Sequence, residues 1–224
     1  MKKISAILIS LILAVMLFSV GKAHATSLFV GSSYSTGIHS IVNGVAMDEG
    51  GGSISPSTLD GRLLDYLYCV DLFNTVYVNT TYANTTVNNA AIIHDKQIVN
   101  ADHVAYLLGK YGIGGQGEQA QALQAAIWHE INGSGVYDLN VSAYASGSSV
   151  VKLYNQYITE AANNVGNIAN FLWINPGTDA SGLSIYQGLV TNAPVPEPGT
   201  MMLLGFGMLG LVIYGKRRTV RATA

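Results

Sequence analysis

"NADHVAYLLGKYGIGGQGEQAQALQAAIWHEI", residues 100 to 131, changes the period of a chain that reads as β-sheet on either side of it. Asn100 to Tyr111 carries Val104, Leu107 and Leu108 at helical spacing, with Asn100 as candidate N-cap and Gly112 as stop. Gln116 to Ile131 is rich in Ala and Gln and sets Ala120, Leu123, Ile127 and Ile131 on one helical stripe. Between them, Gly112-Ile113-Gly114-Gly115-Gln116-Gly117 matches the spacing G-x-G-x-x-G. A dinucleotide fingerprint must follow a strand, and this run follows a helical pattern, so it reads as a helix-helix connection.

Upstream, the period is that of strands. Ser27 to Val30, the segment around His39 to Val45, Leu63 to Phe73 and Thr75 to Thr81 are short runs of aromatic and β-branched residues. Gly50-Gly51-Gly52 and Ser55-Pro56-Ser57 read as loops between them. Downstream, Val150 to Leu172 continues as helix through Leu153, Tyr157, Ala161 and Val165, weakened at Gly166. After Pro176 come strand-like runs at Leu183 to Tyr186 and Leu189 to Thr191. Strands, helices, then strands predict an α+β fold: a β-sandwich or barrel (26–86 and 173–192) with an inserted helical lobe (100–172).

Both ends of the chain carry addresses. Lys2 and Lys3, the apolar run Ile4 to Val20 and Ala23-His24-Ala25 make residues 1–25 a secretory signal helix, with signal peptidase cutting before Thr26. At the other end stand Pro196-Glu197-Pro198, an apolar stretch from Met201 to Tyr214, and Lys216, Arg217 and Arg218. A comfortable membrane span needs roughly 20 residues. The stretch reaches a short transmembrane helix over 199–215 if its flanks are drawn in. The basic cluster then stops transfer, keeping 219–224 cytoplasmic and the preceding domain outside.

These three elements, in this order over 193–218, closely resemble the PEP-C-terminal sorting signal of bacterial exported proteins. The resemblance implies an exosortase as processing partner, which recognises Pro196-Glu197-Pro198 and removes the tail. It implies a protein held transiently in the cytoplasmic membrane and then placed at the cell surface or in the extracellular matrix.

Without its ends the chain keeps about 170 residues, enough for one domain with a core. Seven of the eleven basic residues lie in the two end segments, so four basic residues against thirteen acidic ones leave a net charge of −9 between Thr26 and Pro198. That excludes a nucleic-acid partner, which requires a basic footprint. Four sequons, at Asn79, Asn84, Asn132 and Asn140, carry no weight in a bacterial chain. His39, His94, His103 and His129 form no H-x-x-x-H pair with a neighbouring Glu, and no G-x-S-x-G elbow is present. No metal, no cofactor and no turnover enzyme is expected.

The single cysteine, Cys69, sits in "LYCVDLF" (67–73), which reads as a half-buried strand. In an oxidising compartment a lone thiol has four fates. It can be a small buried hydrophobe, half of an intermolecular disulfide, an activated nucleophile, or the partner of a Gln carboxamide in an internal thioester. Tyr68-Cys69-Val70-Asp71 and, 55 residues on, Gln124-Ala125-Ala126-Ile127-Trp128 resemble the two halves of the Cys-Gln thioester domain of Gram-positive surface adhesins. The similarity spans about residues 65 to 131. It departs from the family at Leu123, where a Thr usually leads the second element.

This resemblance implies a Cys69–Gln124 thioester open to an amine, such as a Lys side chain, on a surface or matrix partner. Gln124 and Trp128, four apart, share one helix face, so Trp128 is placed to shield the carbonyl from water, with Tyr68 on the strand side. The function expected is covalent adhesion or matrix cross-linking. The alternative is a structural protein of the extracellular matrix, associated with exopolysaccharide, in which Cys69 is inert.

Overall fold

A computed structural model describes residues 26–181 and 183–194, together with residues 204, 205, 207, 208 and 211. The signal segment, Pro196-Glu197-Pro198, Lys216-Arg217-Arg218, the tail 219–224 and most of the expected span 199–215 lie outside the described residues. Among the described residues, no helix is long and apolar enough to cross a membrane. The chain divides after Asn192 into two units, and the first holds the fold.

That unit is sheet-rich and mixed. Its strands are β1 (Thr26–Val30), β2 (Ser33–Val42), β3 (Val45–Ser55), β4 (Thr58–Leu59), β5 (Arg62–Leu63), β6 (Tyr68–Cys69), β7 (Thr80–Asn88), β8 (Ile92–Ile93), β9 (Lys96–Gln97), β10 (Tyr137–Leu139), β11 (Phe171–Asn175) and β12 (Leu189–Asn192). Its three α-helices among the described residues are α1 (Ala101–Tyr111), α2 (Gly117–Asn132) and α3 (Ser149–Ala161). Seven strands form a half-barrel in the order β5-β4-β1-β7-β11-β12-β6, and β10-β2-β3 form a second sheet. The ladders among the described residues are all antiparallel. The helices enter between β7 and β11, which are neighbours in the sheet.

Several expectations shift. His39 to Val45 is not one strand: Asn43 and Gly44 both take positive φ (49° and 80°), and the chain reverses into the β2–β3 hairpin. Two consecutive positive φ values are the signature of a type I′ turn, for which Asn-Gly is the favoured pair. Gly50-Gly51-Gly52, expected as a loop, runs inside β3. Of Leu63 to Phe73 only Tyr68 and Cys69 form a ladder with β12, at one end of the seven-strand order, while Leu63 closes β5 at the other end. The strand expected at Thr75 begins at Thr80 and continues to Asn88. Leu183 to Tyr186 forms no strand.

The helical lobe is interrupted. β10 returns to the sheet and pairs Tyr137 with Val42. The helix expected to reach Leu172 ends at Ala161. Gly166 explains the stop, because here the chain crosses α1 with main chain against main chain. The Gly166 N–H donates to Asp102 O at 2.8 Å, and a Cβ at this position would lie 2.4 Å from the Tyr106 nitrogen. Beyond that crossing, Phe171–Asn175 takes up extended structure between β7 and β12 and buries Trp173 completely. Asn100 does stand at the N-cap of α1, but with φ 50° and no capping bond. Its amide donates instead to Glu130 O on α2, at 2.9 Å.

α2 is the centre of the domain. It packs on β2 and β3 with one side and on α1 and α3 with the other, so every residue from Ala122 to Trp128 is buried. An amphipathic stripe suffices for a surface helix; a helix covered all round needs small or apolar residues on every face. Here Ala122, Ala125 and Ala126 allow the close approach, and the polar exception at the middle is Gln124.

A polar staple holds α1 to α3. One oxygen of Glu160 accepts from Lys110 Nζ at 2.7 Å, Tyr111 Oη at 2.7 Å and Tyr106 Oη at 3.1 Å, and its other oxygen accepts from Gln156 Nε2 at 3.0 Å. Lys110 first, then Gln156 and Tyr111, hold the Glu160 carboxyl down to about 2 from its ordinary 4.5. A carboxyl lowered in the folded state stabilises the fold above its unfolded value, and that contribution fades as pH falls from 4.5 towards 2. The group is well solvated, so the effect is small. Urea midpoints of wild type and Glu160→Gln are expected to differ at pH 5 and to converge towards pH 2. A difference that persists to pH 2 contradicts the staple.

Candidate functional site at Cys69 and Gln124

β6 has two edges. One pairs with β12, Cys69 opposite Leu189 and Tyr68 opposite Val190. The other faces β3, where Ile54 N–H donates to Leu67 O at 2.9 Å. The ladder would continue at Cys69 and Gly52, and the side chain of Gln124 takes the place between them. Its Oε1 accepts from the Cys69 N–H at 3.0 Å and from the Gly52 N–H at 3.3 Å, and its Nε2 donates to Cys69 O at 2.7 Å. Gln124 has no solvent exposure, so these bonds satisfy groups that water cannot reach.

The glycines make room for this insertion. A Cβ on Gly51 would lie 2.7 Å from Gln124 Cγ and 3.2 Å from Trp128 Cη2. Gly52 takes φ +83°, a conformation side chains rarely adopt, and turns its N–H towards Oε1. Gly51→Ala is therefore expected to destabilise by about 1–3 kcal/mol, the usual cost of overpacking, and to push the carboxamide off the Cys69 main chain. Thermal unfolding reads the first effect. Unchanged stability would show that α2 moves aside freely.

Cys69 is buried, and burial pushes its thiol well above the ordinary thiol range; negative Asp71 and Glu49 push it further the same way. The thiol is thus protonated at neutral pH, unlike the low-pKa thiols of redox sites. Asp71 anchors the chain after β6. Its Oδ2 meets His94 Nε2 at 2.9 Å and accepts from Asn74 Nδ2 at 2.6 Å, while its carbonyl accepts from Gln187 Nε2 at 2.5 Å.

Trp128 lies where the helix spacing places it, one turn beyond Gln124 and beside it over Gly51. Its indole stands edge-on to Tyr137, with ring centroids 5.6 Å apart. The Trp128 Nε1 and the Tyr137 hydroxyl are buried without a hydrogen-bond partner. Tyr68 turns elsewhere: its ring is edge-on to Tyr66, and its unpartnered hydroxyl abuts Gly115 in the α1–α2 connection. Leu123, where the thioester family has Thr, is buried in the core.

Sequence reading singled out Cys69, Gln124 and Trp128, and the fold brings these together. It did not find Gly51, Gly52 or Tyr137. The glycine run has the composition of a loop, and Tyr137 carries no local signal.

Each histidine between β1 and β12 has a polar neighbour. His39 Nδ1 meets Asp48 at 2.5 Å, His103 Nδ1 meets Glu130 at 2.8 Å, and His129 Nδ1 meets Tyr154 Oη at 2.9 Å. Among the described residues, no group of three His, Cys, Asp or Glu side chains is placed to hold a metal ion. A cavity of about 400 Å³ lined by Asn100, His103, His129 and Glu130 shares no residue with the Cys69–Gln124 pair.

What the pair can do follows from its contacts. Both polar atoms of the carboxamide rest on the main chain of Cys69, so the carbon between them is held against the residue that bears the thiol. Two N–H donors on Oε1 form an oxyanion-hole arrangement, the kind that stabilises a tetrahedral intermediate of acyl transfer.

The PEP-CTERM protein-sorting motif matches residues 194–218. This marks the chain as an exported protein with a transient membrane stage and an exosortase as its processing partner. No curated protein and no solved structure is significantly similar to the chain.

Proposed function

We propose that residues 26–192 form a covalent surface binding module built on Cys69 and Gln124. The observation that carries this reading is the docking of the Gln124 carboxamide on the Cys69 main chain, with Oε1 held by the N–H groups of Cys69 and Gly52. Cys69 Sγ attacks Gln124 Cδ, the C–N bond breaks, and the thiol proton leaves with the nitrogen as ammonia. The product is an internal thioester whose carbonyl oxygen stays in the two-donor hole. A primary amine on a partner, as on a Lys side chain, then attacks the same carbon. An amide forms, the C–S bond breaks, and Cys69 regains its proton. One molecule reacts once, so the protein is a reactive ligand and not a turnover enzyme.

Burial serves this chemistry. It keeps water from the thioester. Methylamine tests the reading: wild type should take up one methylamine at Gln124, and Cys69→Ala should take up none. Wild type that stays unmodified contradicts it.

One observation favours a second reading, a structural matrix protein with an inert thiol. The bonds that polarise the carboxamide are also those that complete the sheet between β3 and β6, and they need no covalent step. Under that reading methylamine leaves both proteins unchanged.

A further inference from the structure

Resting on the thioester reading, we infer that Glu49 is the receiving group for the partner's amine: it attracts a primary ammonium to the site and takes its proton. Glu49 lies on β3 two residues before Gly51, so the two share a face of the strand. Glu49 stands opposite the fully buried Ile38 and Gly51 opposite Ser35, with the extra residue between these pairs on β2; on β3 the intervening Gly50 faces Tyr34 on the other side. The face that carries Glu49 is thus the one on which Gly51 meets Gln124 and Trp128.

Three features separate this carboxylate from an ordinary surface acid. It is half-buried at the point where β3 passes from exposed residues to the buried Gly51 and Gly52. No hydrogen bond or ion pair to another described residue engages it, whereas Asp48 is held by His39 and Glu130 by His103. Its charge acts on both the Cys69 thiol and the Tyr137 hydroxyl, the latter buried without a partner. An unpaired, partly desolvated carboxylate is costly to hold, and a cation that arrives beside it relieves the cost.

The groups around it fit a proton acceptor. Asp48 on the same strand is negative, Cys69 on β6 and Tyr137 on β10 are neutral with raised pKa values, and burial followed by Asp48 raises the Glu49 carboxyl itself. No Lys or Arg is among them. Glu49 takes one proton from R–NH3+, and the free amine attacks Gln124 Cδ. The attacking nitrogen loses a second proton to Cys69 Sγ as the C–S bond breaks. Glu49 then returns its proton to solvent.

The test compares a cationic with a neutral nucleophile on the full mature chain. Near neutral pH methylamine is almost wholly protonated, and hydroxylamine is almost wholly neutral. Glu49→Gln is expected to slow methylamine uptake by roughly 100-fold, the low end for general-base assistance. Hydroxylamine uptake should stay within about threefold, because that nucleophile has no proton to give up before attack. Glu49→Asp should recover part of the methylamine rate, which a purely structural role does not predict. If both rates fall together, or neither falls, the assignment of Glu49 is wrong while the thioester stands. If wild type takes up neither nucleophile, the thioester reading is wrong, and Glu49 falls with it.

Discussion

In the Cys69→Ala chain, where no thioester forms and the carboxamide is kept, Gln124→Leu is expected to lower stability by at least ~3 kcal/mol, at about 1–3 kcal/mol for each buried polar group left without a partner. Three such groups appear at once: the N–H and C=O of Cys69 and the N–H of Gly52. Leucine fills nearly the same volume, so the loss is one of hydrogen bonds and not of packing. For a domain of this size, each kcal/mol moves the unfolding temperature by about 2–4 °C. A fall of about 6 °C or more is therefore expected in a thermal scan. Cys69→Ala is the reference, because it keeps the carboxamide and every one of those main-chain bonds, whereas the thioester gives up Nε2 as ammonia. A large further shift when Gln124→Leu is added to Cys69→Ala shows what Gln124 does for the sheet apart from any covalent step. No further shift would contradict the insertion of the carboxamide into the ladder.

Trp128→Ala is expected to cost about 3–5 kcal/mol, the range for deleting a large aromatic from a packed core. The indole is 1 % exposed and fills the space between Gly51 and Tyr137, so the helix cannot collapse onto the gap without moving Gln124. The same cavity gives water a route to the Gln124 carbon. A second effect follows, faster hydrolysis of any thioester, read as the gain of one water, which leaves a carboxyl at residue 124 with a hydroxyl in place of the encoded NH2. Trp128→Phe should be far milder in stability, since it keeps an aromatic ring and removes the orphaned Nε1–H. Chemical denaturation of the two variants checks this. If alanine and phenylalanine cost the same, packing over Gly51 is not what Trp128 provides.

How much of this was legible in the sequence depends on how local the signal is. The two central helices follow from their 3.6-residue period, and α1 ends at Tyr111 before Gly112 as read. The pair Cys69 and Gln124 is what the resemblance of two short elements to a known domain implies. What stayed hidden is set by distant partners. Gly50 to Gly52 has the composition of a loop, yet a strand needs glycine wherever a helix side chain enters the ladder, and nothing near residue 51 announces residue 124. Val150 to Leu172 keeps its apolar spacing to Val165, but the crossing of Gly166 over α1 at Tyr106 ends the helix early. Asn43-Gly44 is a turn signal in plain view, and the apolar residues on both sides hid it. The charge of Glu49 was counted in the net balance, whereas its isolation is a property of the folded strand alone.

The central claim is that Cys69 and Gln124 are joined. The most direct measurement is the intact mass of the secreted chain, wild type and Cys69→Ala produced side by side so that processing at both ends cancels. The account predicts a wild-type mass one ammonia below that of its encoded chain, with Cys69→Ala at the full encoded mass. Two chains both at the full encoded mass would contradict it.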